Sequence, residues 1–262
     1  MSEKVVLITG ASSGIGKALA EAYSKFGYNL ILAARNLEEL EQNKNDLEIN
    51  GSKILLHRTD VTKDEDCLQL INSAISKFNK IDILINNAGI SQRSLAKNTK
   101  IEVDRQIMDV NYFGSICITK YALPHMIRSK NGHIVVISSI VGKFGFPLRS
   151  GYAASKHALG GYFESLRAEL YKENIDVTIV FPGRIKTNIS LNALTQDGSK
   201  YKKMDDGQAQ GVSAVKCANS IIQSIKKKKK EVIIGGKETN LIHIRRFLPS
   251  LFYKIIQNIK PV

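Results

Sequence analysis

Cysteine is scarce in this chain, and long apolar runs are missing from it. The three cysteines, Cys67, Cys117 and Cys217, stand far apart with no CxxC pair among them. An odd count at such spacings argues against a disulfide framework or a zinc site and leaves small buried thiols. No stretch approaches the ~20 apolar residues needed to span a bilayer. Met1-Ser2-Glu3-Lys4 runs straight into Val5-Val6-Leu7-Ile8, which is too short for the apolar part of a secretory signal. The expectation is a cytoplasmic protein. Low-complexity linkers and internal repeats are missing too. Acid is in short supply: 38 Lys and Arg against 24 Asp and Glu leave a net charge of +14. That charge favours anionic substrates, polyanions or membrane surfaces. Part of it is one run, Lys226 to Lys230, which reads as a solvated helix end.

What is present is an apolar fraction of 43% in 262 residues. That is enough for a sizeable core and too much for a disordered chain. The length suits one large α/β domain over residues 1–262. Short apolar, β-branched runs predict strands at Val5–Thr9, Asn29–Ala33, Lys53–His57, Ile83–Asn86, His133–Ser138, Asp176–Phe181 and Glu231–Ile234. Helix-length segments lie between them, among them Ile15–Phe26, Leu37–Glu48, Lys63–Phe78, Ile101–Ser129 and Tyr152–Glu173. Strands apolar nearly throughout are buried on both faces of a parallel sheet. The alternation implies right-handed crossovers and a doubly wound sheet. Ligands of such sheets bind beyond the carboxyl ends of the strands, near the switch point.

Two segments stand apart. Arg184 to Gly211 has no clear period and is expected to be a substrate loop. From Asn240 to Ile259, apolar residues recur at 241, 244, 248, 251, 252, 255 and 259, a helical stripe that Pro249 should kink or divide. The favoured reading is a cover for the sheet edge, the pocket or another subunit. With His243, Arg245, Arg246 and Lys254, a basic amphipathic helix on an anionic membrane is the other reading.

Strand one runs into Thr9-Gly10-Ala11-Ser12-Ser13-Gly14-Ile15-Gly16. Glycines there permit a tight turn and close approach of the backbone to a pyrophosphate, and the helix that follows points free N–H groups at the anion. Gly10, Ser12, Ser13, Gly14, Ile15 and Gly16 are therefore candidate cofactor residues. Strand two ends in Ala33-Ala34-Arg35-Asn36, where an NAD site would carry an acid for the ribose 2′-hydroxyl. Arg35, beside Asn36, offers a planar, permanent charge to a 2′-phosphate instead. This favours NADP(H).

After strand five comes Ser139, thirteen residues later Tyr152, and four further on Lys156. Positions i and i+4 share a helix face. The expectation is that the Lys156 ammonium sits beside the Tyr152 hydroxyl and lowers its pKa. A phenol tuned in this way is a competent general acid for a carbonyl oxygen, and Ser139 can hydrogen-bond the same oxygen.

These elements resemble the short-chain dehydrogenase/reductase family over nearly the whole chain. They are TGASSGIG at 9–16, NNAG at 86–89, Asn111 in DVNYFG, Ser139 in VVISS, YAASK at 152–156 and PG at 182–183. The resemblance implies a Rossmann-type α/β fold with a seven-stranded parallel sheet flanked by helices. It implies Asn111, Ser139, Tyr152 and Lys156 as the catalytic set, with Asn111 holding a water that links Lys156 to solvent. It also implies Asp60 and Val61 at the adenine, Asn87, Ala88 and Gly89 as the adenosine wall, Tyr152 and Lys156 at the nicotinamide ribose, and Pro182, Gly183, Ile185 and Thr187 at the carboxamide. Hydride passes directly from nicotinamide to carbon, so no metal is expected.

A narrower resemblance is to the dehydrogenase/reductase member 7B branch, carried by ISQRS after NNAG, YAASKH, and NIS…DGS before a lysine run. Members of that branch are linked to lipid-type ketones, including acyl- or alkyl-dihydroxyacetone phosphate. No N-terminal anchor is expected, unlike in that branch, and the chain departs from it in carrying Arg184 and Lys186 within the PGxIxT stretch.

The function expected is an NADP(H)-dependent carbonyl reductase, acting on CH–OH groups in the reverse direction, with a hydrophobic or lipid-like carbonyl as substrate. The alternative is a non-catalytic nucleotide-binding or membrane-surface protein on the same fold. Pocket candidates are Ile90, Ser91, Phe144, Phe146, Pro147, Arg149 and Leu191. The nearby bases Arg93, Arg149, Arg184 and Lys186 have two readings: partners for a hydrophobic ketone that carries an anionic group or, the one favoured, side chains that face solvent. A homo-oligomer, dimer or tetramer, is expected through the two long helices. No nucleic-acid partner is expected, because no aromatic platform for bases is interleaved with the charge.

Overall fold

The computed structural model describes residues 4–48 and 51–259. The strands β1 (Val5–Thr9), β2 (Asn29–Ala34), β3 (Ile54–Arg58), β4 (Ile83–Asn86), β5 (Gly132–Ile137), β6 (Ile175–Pro182) and β9 (Glu231–Ile234) form one sheet in the order β3-β2-β1-β4-β5-β6-β9. Every neighbouring pair in it is parallel. A second, two-stranded pair joins β7 (Ile185–Lys186) to β8 (Val212–Ser213).

Alternate side chains of each strand leave the sheet on opposite faces. Val6 and Ile8 of β1 enter a core with α1 (Gly14–Ser24), α2 (Leu37–Glu48) and α8 (Ala214–Lys226). Val5 and Leu7 enter the opposite core with α3 (Asp64–Phe78), α5 (Gly114–Ser129) and α6 (Ser150–Glu169). This two-sided burial is why the strands are apolar at nearly every position. The chain crosses from one half of the sheet to the other between β1 and β4, which leaves a crevice beyond their carboxyl ends.

The expected helix Ile101–Ser129 is not uniform. It runs as α4 (Ile101–Met108), a π-helical turn at Asp109–Phe113, and then α5. Such one-turn bulges rotate the residues within them relative to the α-helical phase, and Asn111 lies in this one. Immediately after it, a Cβ on Gly114 would fall 2.6 Å from a Val61 methyl, so the helix approaches the strand-three loop where only glycine fits.

The 184–211 segment does carry short structure: β7 and the single turn α7 (Asp206–Ala209). The tail is two helices, α9 (Asn240–Phe247) and α10 (Pro249–Asn258), divided at Pro249. All five lysines of the 226–230 run are exposed at the end of α8.

The turn after β1 is where backbone closeness is most demanding. Gly10 has φ +62°, and a Cβ there would stand 2.9 Å from the Ala88 Cα, while a Cβ on Gly16 would overlap the Gly10 carbonyl. Gly16→Ala is therefore expected to cost about 1–3 kcal/mol, as overpacking does. Urea denaturation checks this, and an unchanged midpoint contradicts it.

Candidate active site

A cleft of about 1540 Å³ lies along the carboxyl ends of β1 to β6. The glycine turn after β1 lies between the parts of it formed at β2–β3 and at β4–β6. Thr9 Oγ1 accepts the backbone N–H groups of Asn87 and Ala88 at 3.0 and 3.1 Å, and Asn87 Nδ2 donates to the carbonyls of Thr9 and Gly10. These bonds tie the two crevice-forming strand ends together. Ser13 precedes α1 in extended conformation without capping it through its side chain, so the first-turn N–H groups face the cleft uncapped from that side. That cradle of glycines and helix N-terminus fits a dinucleotide pyrophosphate.

The cleft continues past Arg35 and Asn36 at the end of β2 and Asp60 and Val61 after β3. Asn36 Oδ1 accepts the N–H of Glu39 and so starts α2. Burial presses the Asp60 carboxyl upward. The backbone and hydroxyl of Thr62, with Arg35 and Lys63, outweigh that and hold it below the usual carboxylate value. A second guanidinium, Arg58, lines the same end of the cleft. Sequence reading missed it; its signal was the register that pairs Arg58 with Ala34, the residue before Arg35.

Ser139, Tyr152 and Lys156 line the cleft on the β5 side, and Pro182, Gly183, Ile185 and Thr187 line it too, Thr187 beside Gly14 of the glycine turn. Sequence spacing places Tyr152 and Lys156 on one face of α6, and both line the cleft. The Lys156 amine lies 5.7 Å from the centroid of the Tyr152 ring and donates to the carbonyl of Ile137 at 2.8 Å. Ser138 Oγ donates to the Lys156 carbonyl at 2.9 Å, fixing α6 against β5.

The electrostatics differ from the expectation. Burial lowers the Lys156 pKa to about 7, so the amine holds only part of its charge at neutrality. Burial also raises the Tyr152 phenol above its ordinary value. The groups that pull it back are the hydroxyl of Ser139, by hydrogen bonding, and the charges of Arg149 and Arg93, rather than Lys156.

Those two arginines correct a second expectation. Arg93 does not face solvent: it is 6% exposed, with its Nε 3.0 Å from an Asp205 oxygen. Arg149 is half-buried and donates to the same carboxylate at 3.1 Å. Two guanidiniums thus share one acid inside the cleft. Burial and the Arg93 charge lower the Arg149 pKa to about 10, which leaves it charged at neutrality. Asp205 belongs to the 184–211 segment, so this cluster also pins that segment over the site. Arg184 lines the cleft as well, whereas Lys186, Pro147 and Leu191 do not.

Asn111 and Gly16 stand behind the cleft wall rather than in it. The Asn111 side chain is fully buried and taken up by protein groups: Oδ1 accepts the Ile90 N–H at 2.8 Å, and Nδ2 donates to the Ile90 carbonyl and Ser155 Oγ. Its observed work is to fasten the strand-four loop to α6. Gln92 was not foreseen. Its Oε1 accepts the N–H groups of Gly151 and Tyr152 at 2.8 and 3.3 Å, closing the first turn of α6.

The family model described as short chain dehydrogenase matches residues 4–198. Dehydrogenase/reductase SDR family member 7B of Xenopus laevis is 42% identical over 261 residues, covering 96% of this chain and 80% of that protein. The Bos taurus protein of that name is 44% identical over 259 residues, with the same two shares. A Drosophila melanogaster protein, dehydrogenase/reductase SDR family protein 7-like, is 43% identical over 258 residues, covering 97% and 79%. The solved short-chain dehydrogenase from Streptomyces avermitilis has a TM-score of 0.81 at 28% identity, over 98% of this chain and 96% of that one. The alcohol dehydrogenase from the archaeon Thermococcus sibiricus, complexed with 5-hydroxy-NADP, has a TM-score of 0.78 at 24% identity, over 90% and 97%, a likeness of fold.

The depressed Lys156 pKa has a consequence for stability. The folded protein binds fewer protons than the unfolded chain between pH 7 and the ordinary lysine value of 10.5. Lys156 therefore makes stability rise with pH across that window, by at most about 5 kcal/mol. Lys156→Met should remove this slope, so that its stability relative to wild type is highest near pH 7 and declines toward pH 10. Urea denaturation of the ligand-free proteins across that range measures the difference; parallel curves contradict it.

Proposed function

The chain belongs to the short-chain dehydrogenase/reductase family, and on that premise we propose that this oxidoreductase uses NADP(H) to interconvert a ketone and a secondary alcohol. The observation that carries the reading is the convergence of Ser139, Tyr152 and Lys156 in the same cleft as a glycine-lined helix start. A nicotinamide dinucleotide, when bound, supplies or accepts the hydride. Gly10, Ser12, Ser13, Gly14 and Ile15 hold its pyrophosphate, with Gly16 supporting the turn from behind. Asp60, Val61, Asn87, Ala88 and Gly89 bound its adenosine half.

Preference for the 2′-phosphate is supported by Arg35 and Arg58 at the ribose end and by Asn36 where an acid would otherwise stand. At the reacting end, Tyr152 Oη gives its proton to the substrate oxygen as the carbonyl carbon is reduced, and takes it back in oxidation. Ser139 Oγ orients that oxygen. Lys156 steadies the nicotinamide ribose and gains charge as partners gather around it, which eases loss of the phenolic proton. Asn111 acts as a positioning residue through Ile90 and Ser155.

The substrate reading is a hydrophobic or lipid-like carbonyl compound. Phe144, Phe146, Ile90, Leu194 and Leu241 supply apolar wall. Arg93 and Arg149 bring two charges against the one of Asp205, which suits a substrate that also bears an anionic group.

A panel of ketones with NADPH and with NADH tests this. NADPH should be oxidised, and Tyr152→Phe should lower kcat/KM by roughly 10²–10⁴-fold. Activity equal to wild type in that variant removes Tyr152 from the chemistry. Arg35→Ala should weaken NADPH by about 1.5–3 kcal/mol and leave NADH little changed. Equal weakening of both contradicts the 2′-phosphate assignment.

A further inference from the structure

We propose that the corner between α9 and α10 is a docking surface for an anionic lipid bilayer. The inner side of this helix pair is already occupied. Phe252 is 2% exposed and meets Phe144 edge-on with ring centroids 5.4 Å apart, and Leu241, Ile242, Ile244 and Ile256 pack on the same cluster, which also holds Tyr152. The outer side is apolar without being covered by the chain's own described residues. Phe247 is 69% exposed, Leu248 56%, Leu251 45% and Tyr253 52%, four large side chains within seven residues.

Local structure gathers them. The chain turns at Leu248, where φ −135° and ψ 60° end α9, and Pro249 opens α10 at a position where its missing N–H costs nothing. Leu248, Leu251 and Lys254 are each three residues apart and so fall along one side. Phe247 stands next to them at the tip, with the Arg246 guanidinium 5.5 Å from its ring.

Charge selects the occupant. Residues 239–259 contain no Asp or Glu, while His243, Arg245, Arg246 and Lys254 are all present. Arg246 and Lys254 are exposed beside the apolar tip. An apolar patch rimmed by cations, on a chain of net charge +14, complements a surface of anionic headgroups over acyl chains. A second copy of this chain fits less well, because a symmetric contact here would set those cations against their own copies with no acid within the patch to offset them. Leu241 and Ile259, on the same tail, line the cleft. Docking would therefore hold the substrate end of the cleft against the bilayer. That consequence rests on the apolar-substrate reading; the docking itself does not.

Co-sedimentation of the full chain with vesicles tests the surface. The protein should pellet with phosphatidylcholine vesicles containing phosphatidylserine. It should bind at least about tenfold more weakly to phosphatidylcholine alone, and to the anionic vesicles in high salt. Phe247→Ser with Leu251→Ser, and separately Arg246→Glu with Lys254→Glu, should each reduce binding by roughly tenfold or more. Far-UV circular dichroism and turnover of a small soluble ketone should stay unchanged in both double variants, which separates loss of docking from loss of fold or of catalysis. Failure to bind anionic vesicles, or binding that neither double variant weakens, overturns the proposal. So does self-association in sedimentation velocity that the apolar variant abolishes while vesicle binding is absent, since that assigns the corner to a second copy.

Discussion

The ε-amine of Lys156 is carried into the protein with α6 and donates to the main-chain carbonyl of Ile137. This contact fixes where the helix meets the end of β5, and the rest of the site takes its position from there. Ser138 answers it by donating to the Lys156 carbonyl. Gln92 closes the helix start from the strand-four loop, and Asn111 fastens that loop to Ser155. Three separate stretches of chain are thereby held to one helix, on which Tyr152 also lies. A buried amine is costly when charged. The fold meets that cost by letting the amine lose part of its proton near neutrality.

The charge that acts on the phenol before ligands arrive is therefore not that of Lys156. The lysine beneath it is only partly charged before ligands arrive. The permanent charge comes from Arg149 and Arg93, held by Asp205. Because Asp205 lies on the 184–211 segment, the electrostatic setting of Tyr152 and the seating of that segment are the same structure. Loss of the Asp205 carboxylate would therefore disturb both at once.

Much of the fold was legible because burial on both faces leaves an unmistakable pattern. All seven strands of the main sheet follow from their apolar runs, with ends displaced by a residue or so. The glycine turn was legible because Gly10 and Gly16 stand where a Cβ cannot, and the Tyr152–Lys156 pair because four residues make one helical turn. What escaped was set by contacts distant in sequence. Arg93 meets Asp205 across 112 residues, and Gln92 meets Gly151 across 59. No local period records either. The π-turn at Asp109–Phe113 was hidden inside a plausible continuous helix. The tail's stripe was visible, yet only the coordinates separate Phe252, turned inward, from its exposed neighbours Leu251 and Tyr253.

The account turns on the protonation of one amine, which NMR of lysine labelled at its side-chain carbon can follow directly. In the ligand-free protein, one lysine signal, missing from Lys156→Met, should titrate with a midpoint near 7 and move to higher pH when NADPH is added. A spectrum in which every lysine titrates at the ordinary value, with or without NADPH, would contradict the account.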